Sequence, residues 1–222
     1  MQQFARLLQH KLENNFFMDR LSYKPFYRRN LPHIQPEGAT LFVTFRLAGS
    51  LPQRLIREWQ EEKRHENRFT PEQKRGFERR WFGKFEEILN HPKNGPRWLQ
   101  DERVAGMVAE SIRYRDGKVY RLDAFCIMST HVHMVFAPLP DPNHPGKYIS
   151  LASIMHSLKS FTAHEANRIL AREGPFWAHE SFDHYIRNQD EWERIVWYVL
   201  QNPVKAGLVK EWQDWKWTYL AP

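Results

Sequence analysis

The pattern of apolar and polar positions divides the chain into strands and helices. A β-branched and aromatic run, TLFVTFRLAG at 40–49, predicts a first strand that ends at a glycine. The stretch 51–113 is highly charged, and its apolar residues recur at helical spacing. Within it, Thr70, Pro71 and Gln73 are typical of a helix start with a capping box. Another helix is predicted over about 99–114.

Two adjacent strands are predicted after this helical stretch. RDGK at 115–118 is a turn signal, and VYRLDAFCIM and HVHMVFAP follow it with so short a link that the two strands should be antiparallel. We predict a helix over 150–172, a short strand in SFDHYIRN, and a last helix over 189–201 that ends at Asn202-Pro203. This order favours an α+β, ferredoxin-like split βαβ fold, an antiparallel sheet with helices on one face. The charged helical insertion and a C-terminal helix that bears a tyrosine are additions to it.

The same pattern suggests three segments. Residues 1–39 form a basic and aromatic N-terminal extension, and 40–203 form one α+β domain that contains the insertion at 51–113. Residues 204–222 are predicted to be a C-terminal tail.

Composition narrows the classes of function. The hydrophobic share of 41% and the aromatic share of 14% favour a folded globule over disorder. The single cysteine, Cys126, excludes an internal disulfide and a cysteine-based zinc site, and it suits a reducing cytoplasm. No apolar run approaches the ~18 residues of a membrane span. We therefore expect a cytoplasmic protein without a membrane partner.

The charge balance indicates a polyanionic partner. A net charge of +7 combined with many aromatic residues favours nucleic acid, although basic proteins with other roles exist. In the N-terminal extension, aromatic residues alternate with basic ones: Tyr23, Lys24, Phe26, Tyr27, Arg28 and Arg29. Such a mixture suits stacking on bases and contact with phosphates, and it also occurs in ordinary surface linkers.

A pair of histidines is the first candidate for chemistry. On a strand, His131 and His133 project from the same face, as two ligands of one metal ion would. Taken alone, a hydrogen-bonded histidine pair is the commoner explanation, since the chain has 11 histidines. The flanks exclude two alternatives: Val135 stands where a three-histidine nucleotide hydrolase needs histidine, and 137–139 lacks the glutamate of a cupin.

The last predicted helix supplies a candidate nucleophile. Its apolar stripe contains Trp192, Ile195, Val196 and Val199. Tyr198 lies at the edge of this stripe, and Asn202 follows one helical turn later. Tyr198 is either a boundary tyrosine with an exposed hydroxyl or a phenol at a metal site, with the Asn202 oxygen as a further ligand.

Four stretches cover most of 40–210: TLFVTFRLAGSLP, AFCIMSTHVHMVF, IMHSLKSFTAHEANRIL and FWAHESFDHYIRNQDEWERIVWYVLQNPVKAGLV. Together they resemble the REP-associated tyrosine transposases, a branch of the single-tyrosine HUH transposases and endonucleases. The tyrosine that precedes NPVKAGL is the most specific of these features. Two departures stand out. Ser129-Thr130 occupies the usual Pro-Asn or Pro-Glu position, and the insertion at 51–98 is longer than in compact members.

The resemblance implies a metal-dependent single-stranded DNA endonuclease and strand transferase that acts on hairpin-forming repeats. Tyr198 would be the nucleophile that forms a 5′-phosphotyrosine link, and His131, His133 and Asn202 would hold Mg²⁺ or Mn²⁺. Five basic residues are candidates for DNA contact, although each is equally acceptable as a solvated charge: Arg28, Arg29, Lys159, Arg187 and Lys205.

Several alternatives stay open at this point. Tyr185, in the predicted strand SFDHYIRN, is a rival nucleophile. A non-cleaving DNA-binding regulator of the same fold needs no catalytic tyrosine, and a metal-dependent hydrolase would use bound water with Tyr198 as a structural residue. The resemblance also implies a prokaryotic, nucleoid-associated protein and is compatible with both a monomer and a dimer.

Overall fold

The computed structural model of the chain describes residues 27–28, 32–33, 38–65, 68–91 and 95–222. In the N-terminal extension, strands β1 (Tyr27–Arg28) and β2 (Pro32–His33) pair antiparallel. Arg29 and the aromatic and basic residues before Tyr27 lie outside the described residues, and only the backbone of Arg28 is described.

A five-stranded antiparallel sheet forms the centre of the molecule. Its strands are β3 (Leu41–Leu47), β4 (Tyr120–Ile127), β5 (His131–Pro138), β6 (Trp177–Tyr185) and β7 (Thr218–Leu220). They lie in the order β6-β3-β5-β4-β7, and every neighbouring pair is antiparallel. The first and third of these strands are therefore central, which is the arrangement of a split βαβ fold and confirms the predicted fold class. The strand β7 comes from the segment predicted as a tail.

Five α-helices belong to the described fold: α1 (Gln53–Lys63), α2 (Pro71–Asn90), α3 (Glu102–Arg115), α4 (Leu151–Ile169) and α5 (Gln189–Lys205). Helices α3 and α4 cover one face of the sheet, as predicted. There, buried side chains of the strands such as Phe45, Val132 and Met134 pack with Val108 of α3 and Leu158 of α4. None of the described helices is long and apolar enough to cross a membrane.

The opposite face of the sheet carries α5 and the end of α2. Because successive side chains of a strand alternate between faces, Phe42 and Val135 point to this side. They form a second core with Trp192, Val196 and Val199 of α5. His131 and His133 flank Val132, which belongs to the first core, and so they share the face of α5.

The charged insertion has a small core of its own. Trp59 of α1 packs with Phe77 and Trp81 of α2. The predicted capping box begins α2: Thr70 Oγ1 accepts from the Gln73 N–H at 3.2 Å, and Gln73 Oε1 accepts from the Thr70 N–H at 2.8 Å. The last turns of α2 reach the sheet and contribute to the site described below.

The end of α5 differs from the prediction. The helix does not stop at Asn202-Pro203, because Pro203 lies in its last turn and removes only one N–H donor there. The helix stop is instead Gly207, which has a φ of +68°. Its N–H donates to the Val204 carbonyl, and the Leu208 N–H donates to the Pro203 carbonyl, both at 2.9 Å. This pair of hydrogen bonds is a Schellman motif.

Candidate metal and tyrosine site

The two histidines meet at the start of β5. Both side chains are completely buried, and their Nε2 atoms lie 3.0 Å apart. The strand geometry predicted that His131 and His133 share a face, and the rings converge on one point of it.

Hydroxyl groups behind the rings hold the histidines in place. Thr130 Oγ1 donates to the Leu89 carbonyl at 2.9 Å, so it accepts from His131 Nδ1, which lies 2.8 Å away. The Nε2 atom of His131 is then an unprotonated lone pair, the form that binds a metal. Thr44 Oγ1, on β3, lies 2.7 Å from His133 Nδ1 and orients that ring.

A buried carboxylate completes the cluster. Glu86, on α2, has its Oε2 atom 3.3 Å from His133 Nε2 and 3.9 Å from His131 Nε2. Ligand atoms of these three residues all lie within 4.8 Å of one another. The second oxygen, Glu86 Oε1, is buried and has no hydrogen-bond partner among the described residues. Two imidazole nitrogens beside a buried carboxylate that has only one of its oxygens satisfied fit a divalent cation.

The protonation states of His131 and Glu86 also fit a divalent cation. Burial lowers the pKa of His131 to about 3, against the attraction of Glu86, so this imidazole is neutral at neutral pH. Burial alone would raise the pKa of Glu86, but His133, His131 and the Tyr198 hydroxyl lower it to about 2. A neutral imidazole and an ionised carboxylate are the protonation states that metal binding requires.

Tyr198 reaches the cluster through the carboxylate. Its hydroxyl donates a hydrogen bond to Glu86 Oε2, and its ring centroid lies 5.5 Å from that of His133 in an edge-on contact. Burial raises the pKa of the Tyr198 phenol above its ordinary value, and the negative charge of Glu86 raises it further. The phenol is therefore protonated, with its proton directed at the carboxylate.

Asn202 lies where the sequence analysis placed it, and Glu86 is a site residue that the sequence analysis did not foresee. Asn202 is buried one turn after Tyr198, and its Nδ2 donates to the Tyr198 carbonyl at 3.1 Å. Glu86, which was not predicted, supplies the third ligand atom of the cluster. A signal for it exists in the sequence, because Phe82, Phe85 and Leu89 form an apolar helical stripe in which Glu86 is the single charged member.

The predicted DNA contacts have different surroundings. Lys205 Nζ lies 4.8 Å from the centroid of the Tyr198 ring, next to the site. Lys159 Nζ donates to the carbonyls of Ala178 and His179 at 2.6 and 2.9 Å, and Arg187 donates to both oxygens of Glu191 at 3.0 and 2.6 Å. The rival nucleophile Tyr185 packs against the core on the α3–α4 face, away from the histidines.

The chain is similar to known proteins in sequence and in fold. No protein-family model matches the chain. Over 98 residues it is 28% identical to a putative REP-associated tyrosine transposase of Haemophilus influenzae, an alignment that covers 43% of this chain. The chain thus spans 56% of the length of that relative. It also resembles the solved structure of a REP-associated tyrosine transposase bound to a REP hairpin, with a TM-score of 0.51, 17% identity, and coverage of 88% of this chain and 82% of that chain. The predicted resemblance is confirmed by both comparisons, the second for the fold.

Proposed function

We propose that this chain, which resembles the REP-associated tyrosine transposases in sequence and in fold, is a metal-dependent nuclease and strand transferase for single-stranded DNA. Its Tyr198 hydroxyl attacks a phosphodiester, which gives a 5′-phosphotyrosine link and a free 3′-hydroxyl. One observation supports this proposal most strongly. The Glu86 carboxylate contacts the Tyr198 hydroxyl and also lies beside the Nε2 atoms of both histidines.

His131, His133 and Glu86 are the residues that would hold the metal. Two nitrogen ligands and one oxygen ligand suit Mn²⁺ better than Mg²⁺, because Mg²⁺ prefers oxygen ligands. Mg²⁺ is therefore the second candidate. When bound, such an ion polarises the phosphate as a Lewis acid. In this proposal Glu86 takes the ligand position that we expected for Asn202, and Asn202 braces the helical turn that carries Tyr198.

Glu86 also accepts the proton of the nucleophile. A phenol with a raised pKa must lose its proton while its oxygen bonds to phosphorus, and Glu86 Oε2 already accepts that hydrogen bond. In the reverse step, the 3′-hydroxyl of a second strand attacks the phosphotyrosine. The proton of that 3′-hydroxyl passes to Glu86, and Glu86 returns a proton to the tyrosine oxygen as it leaves, just as it passes the tyrosine proton to the leaving 3′-oxygen in the forward step. One phosphodiester thus replaces another without a nucleotide cofactor.

The proposed substrate is hairpin-forming repeat DNA with single-stranded flanks. The solved structure of similar fold holds a REP hairpin. Among the predicted DNA contacts, Lys205 has the best support, because its ammonium group lies beside the Tyr198 ring. Lys159 and Arg187 are engaged in contacts within the protein, and Arg28 and Arg29 in the N-terminal extension remain proposed phosphate contacts.

A covalent-adduct assay tests the proposal. Wild-type protein is incubated with Mn²⁺ and a labelled hairpin oligonucleotide with single-stranded flanks, and the products are separated on a denaturing gel. We expect a protein–DNA adduct that is lost in Tyr198→Phe and retained in Tyr185→Phe, the matched change on the opposite face of the sheet. Cleavage without an adduct would support a hydrolase that uses bound water, and binding without cleavage would support a DNA-binding regulator.

A further inference from the structure

A cavity lies beside the metal and tyrosine site, between the insertion and the edge of the sheet. Its volume is about 420 Å³. Helices α1 and α2 form one wall, and β3 and β6 form the other. Small-molecule sites in proteins have volumes of roughly 300–1,000 Å³, so this space suits a single nucleoside and is too small for a folded hairpin.

The cavity and the site share two wall residues. Glu86 lines the cavity and lies 3.3 Å from His133 Nε2. Thr44 also lines it and lies 2.7 Å from His133 Nδ1. A phosphodiester held at the histidines would therefore have the cavity directly at its side.

Aromatic rings supply the apolar part of the lining. Trp59 and Phe85 come from the insertion and contact each other with ring centroids 6.0 Å apart. Phe82 of α2 and Phe182 of β6 meet across the two walls at 4.7 Å. Aromatic side chains of this kind bind single-stranded nucleic acid by stacking on its bases.

Polar side chains supply hydrogen-bonding groups at the same cavity. Gln53 and Gln60 of α1 each bring an amide that can both donate and accept, as recognition of a base edge requires. Arg46 of β3 donates to Ser50 Oγ at 3.3 Å through one of its nitrogen atoms, and its guanidinium has five N–H donors in all. The combination of aromatic faces with a few amide and guanidinium groups is the chemistry of a nucleobase site.

We propose that this cavity binds the base of one nucleotide next to the phosphate that Tyr198 attacks. The base leaves the stack of its strand and enters between α1 and β6, so its identity contributes to the choice of the cleaved bond. This inference rests on the proposed function, and it gives the charged insertion a role in substrate selection.

Binding of abasic oligonucleotides tests the proposal. Hairpin oligonucleotides are made with a single abasic position that moves through each flank, and their affinity is measured by fluorescence anisotropy with Mn²⁺ and the Tyr198→Phe protein. One position, or two adjacent ones, should weaken binding by roughly tenfold, as expected for one lost stacked base. This sensitivity should disappear when Ile56→Trp fills the cavity, and it should persist in Glu61→Trp, an exposed position on the same helix.

A second pair of variants controls for misfolding of the Ile56→Trp protein. Gln53→Ala/Gln60→Ala removes both amides without adding volume, and it should reduce the abasic effect, whereas Glu61→Ala should not. Equal loss at every position, or unchanged sensitivity in folded Ile56→Trp, overturns the cavity proposal and leaves the proposed function intact. Failure of the protein to bind any hairpin DNA overturns both. A normal abasic pattern without a wild-type covalent adduct supports the cavity and overturns only the chemistry.

Discussion

At the scale of single residues, Glu86 is the residue that favours a metal site over a pair of packed histidines. Two imidazoles whose Nε2 atoms lie 3.0 Å apart are sufficient to hydrogen-bond to each other. An ionised carboxylate at the same place is costly to bury and needs a compensating partner. Phe82 and Leu89 on the same helical stripe are apolar, whereas Glu86 is charged and has a hydrogen-bond partner for only one of its two oxygens among the described residues. A bound cation would remove this imbalance.

The first prediction concerns metal affinity. Glu86→Gln keeps the size of the side chain and removes its charge, so it should weaken Mn²⁺ binding at least tenfold, because one anionic ligand is lost. Glu87→Gln is the matched control, since Glu87 is the next residue of α2 and is exposed. Isothermal titration calorimetry measures both. Equal affinities of the two variants would remove Glu86 from the ligand set.

The second prediction concerns the orientation of His131. Thr130→Val keeps the shape of the side chain but removes the hydroxyl that links His131 Nδ1 to the Leu89 carbonyl. Loss of such a supporting hydrogen bond typically lowers metal affinity about 10- to 100-fold. Thr130→Ser retains the hydroxyl and should recover most of the Mn²⁺ affinity in the same titration. If Val and Ser behave alike, the hydroxyl does not orient the histidine.

At the scale of elements, α5 is fixed at both ends, which sets the place of Tyr198 in its middle. At the start, Asn188 Oδ1 accepts from the Glu191 N–H at 2.9 Å, and Glu191 accepts from Arg187. At the end, Gly207 closes the Schellman motif. The motif NPVKAGL therefore contains a helix end, and its glycine is required by the backbone conformation.

The third prediction follows from that glycine. Gly207→Ala should lower the free energy of unfolding by about 1–2 kcal/mol, because a Cβ is disfavoured at a positive φ. A steric clash is not the cause, because no atom outside the adjacent residues lies within 4 Å of the position that the alanine Cβ would take. Gly83→Ala, an exposed glycine inside α2, should instead raise stability by roughly 0.5–1 kcal/mol. Urea denaturation of both variants measures the contrast, and changes of the same sign would contradict it.

The fourth prediction concerns acid stability at the start of α5. Burial raises the pKa of Glu191, but hydrogen bonds from Arg187 and His184 lower it to about 2, below its ordinary value of 4.5. A depressed folded-state pKa stabilises the protein above the unfolded pKa, and this contribution is lost as the pH falls from about 4.5 to about 2.

Denaturation of Glu191→Gln at several pH values measures this effect. Arg187 is 44% exposed, so the expected loss at pH 7 is reduced by solvent screening to about 1–2 kcal/mol. The difference between wild type and variant should shrink towards pH 2. A difference that is the same at pH 7 and pH 2 would show that the carboxylate charge contributes nothing.

The elements were largely predictable from the sequence, and the complete site was not. Strand and helix periods identified β3, β4, β5 and α4, because burial on one or both faces imposes those periods locally. The predicted end of α5 was wrong because Pro203 was taken as the stop, although the actual stop is Gly207, four residues further on. Glu86 was missed because its contact with Tyr198 spans 112 positions and arises only from the packing of α2 on the sheet.

At the scale of the whole molecule, the two faces of the sheet differ in what they carry. The face under α3 and α4 is an apolar core, and the opposite face holds the cluster of Glu86, His131 and His133. Not every basic residue that contributes to the net charge of +7 is equally well placed to bind DNA. The side chains of Lys159 and Arg187 already donate hydrogen bonds to acceptors within the protein. The exposed Lys205, beside Tyr198, is the better candidate.

The fifth prediction uses this difference in a salt titration. Lys205→Met should weaken binding of single-stranded DNA and reduce the slope of log K against log salt by about 0.7, the value for one lost phosphate contact. Lys118→Met removes the same charge beyond the far end of β4 and should leave the slope unchanged. Fluorescence anisotropy across a salt series gives both slopes. Identical slopes for wild type and Lys205→Met would mean that Lys205 does not contact a phosphate.

The long span between Glu86 and Tyr198 has a consequence during synthesis of the chain. A chain leaves the ribosome with its N-terminus first, and each domain generally folds as a unit. A nascent chain that ends before α5 already contains Glu86, His131 and His133, and it has no tyrosine at that place. The proposed metal ligands are therefore present before the proposed nucleophile, so under the proposed function DNA cleavage would require the last helix to have emerged and docked. Incomplete chains would then be unable to cleave the nucleic acid that surrounds them.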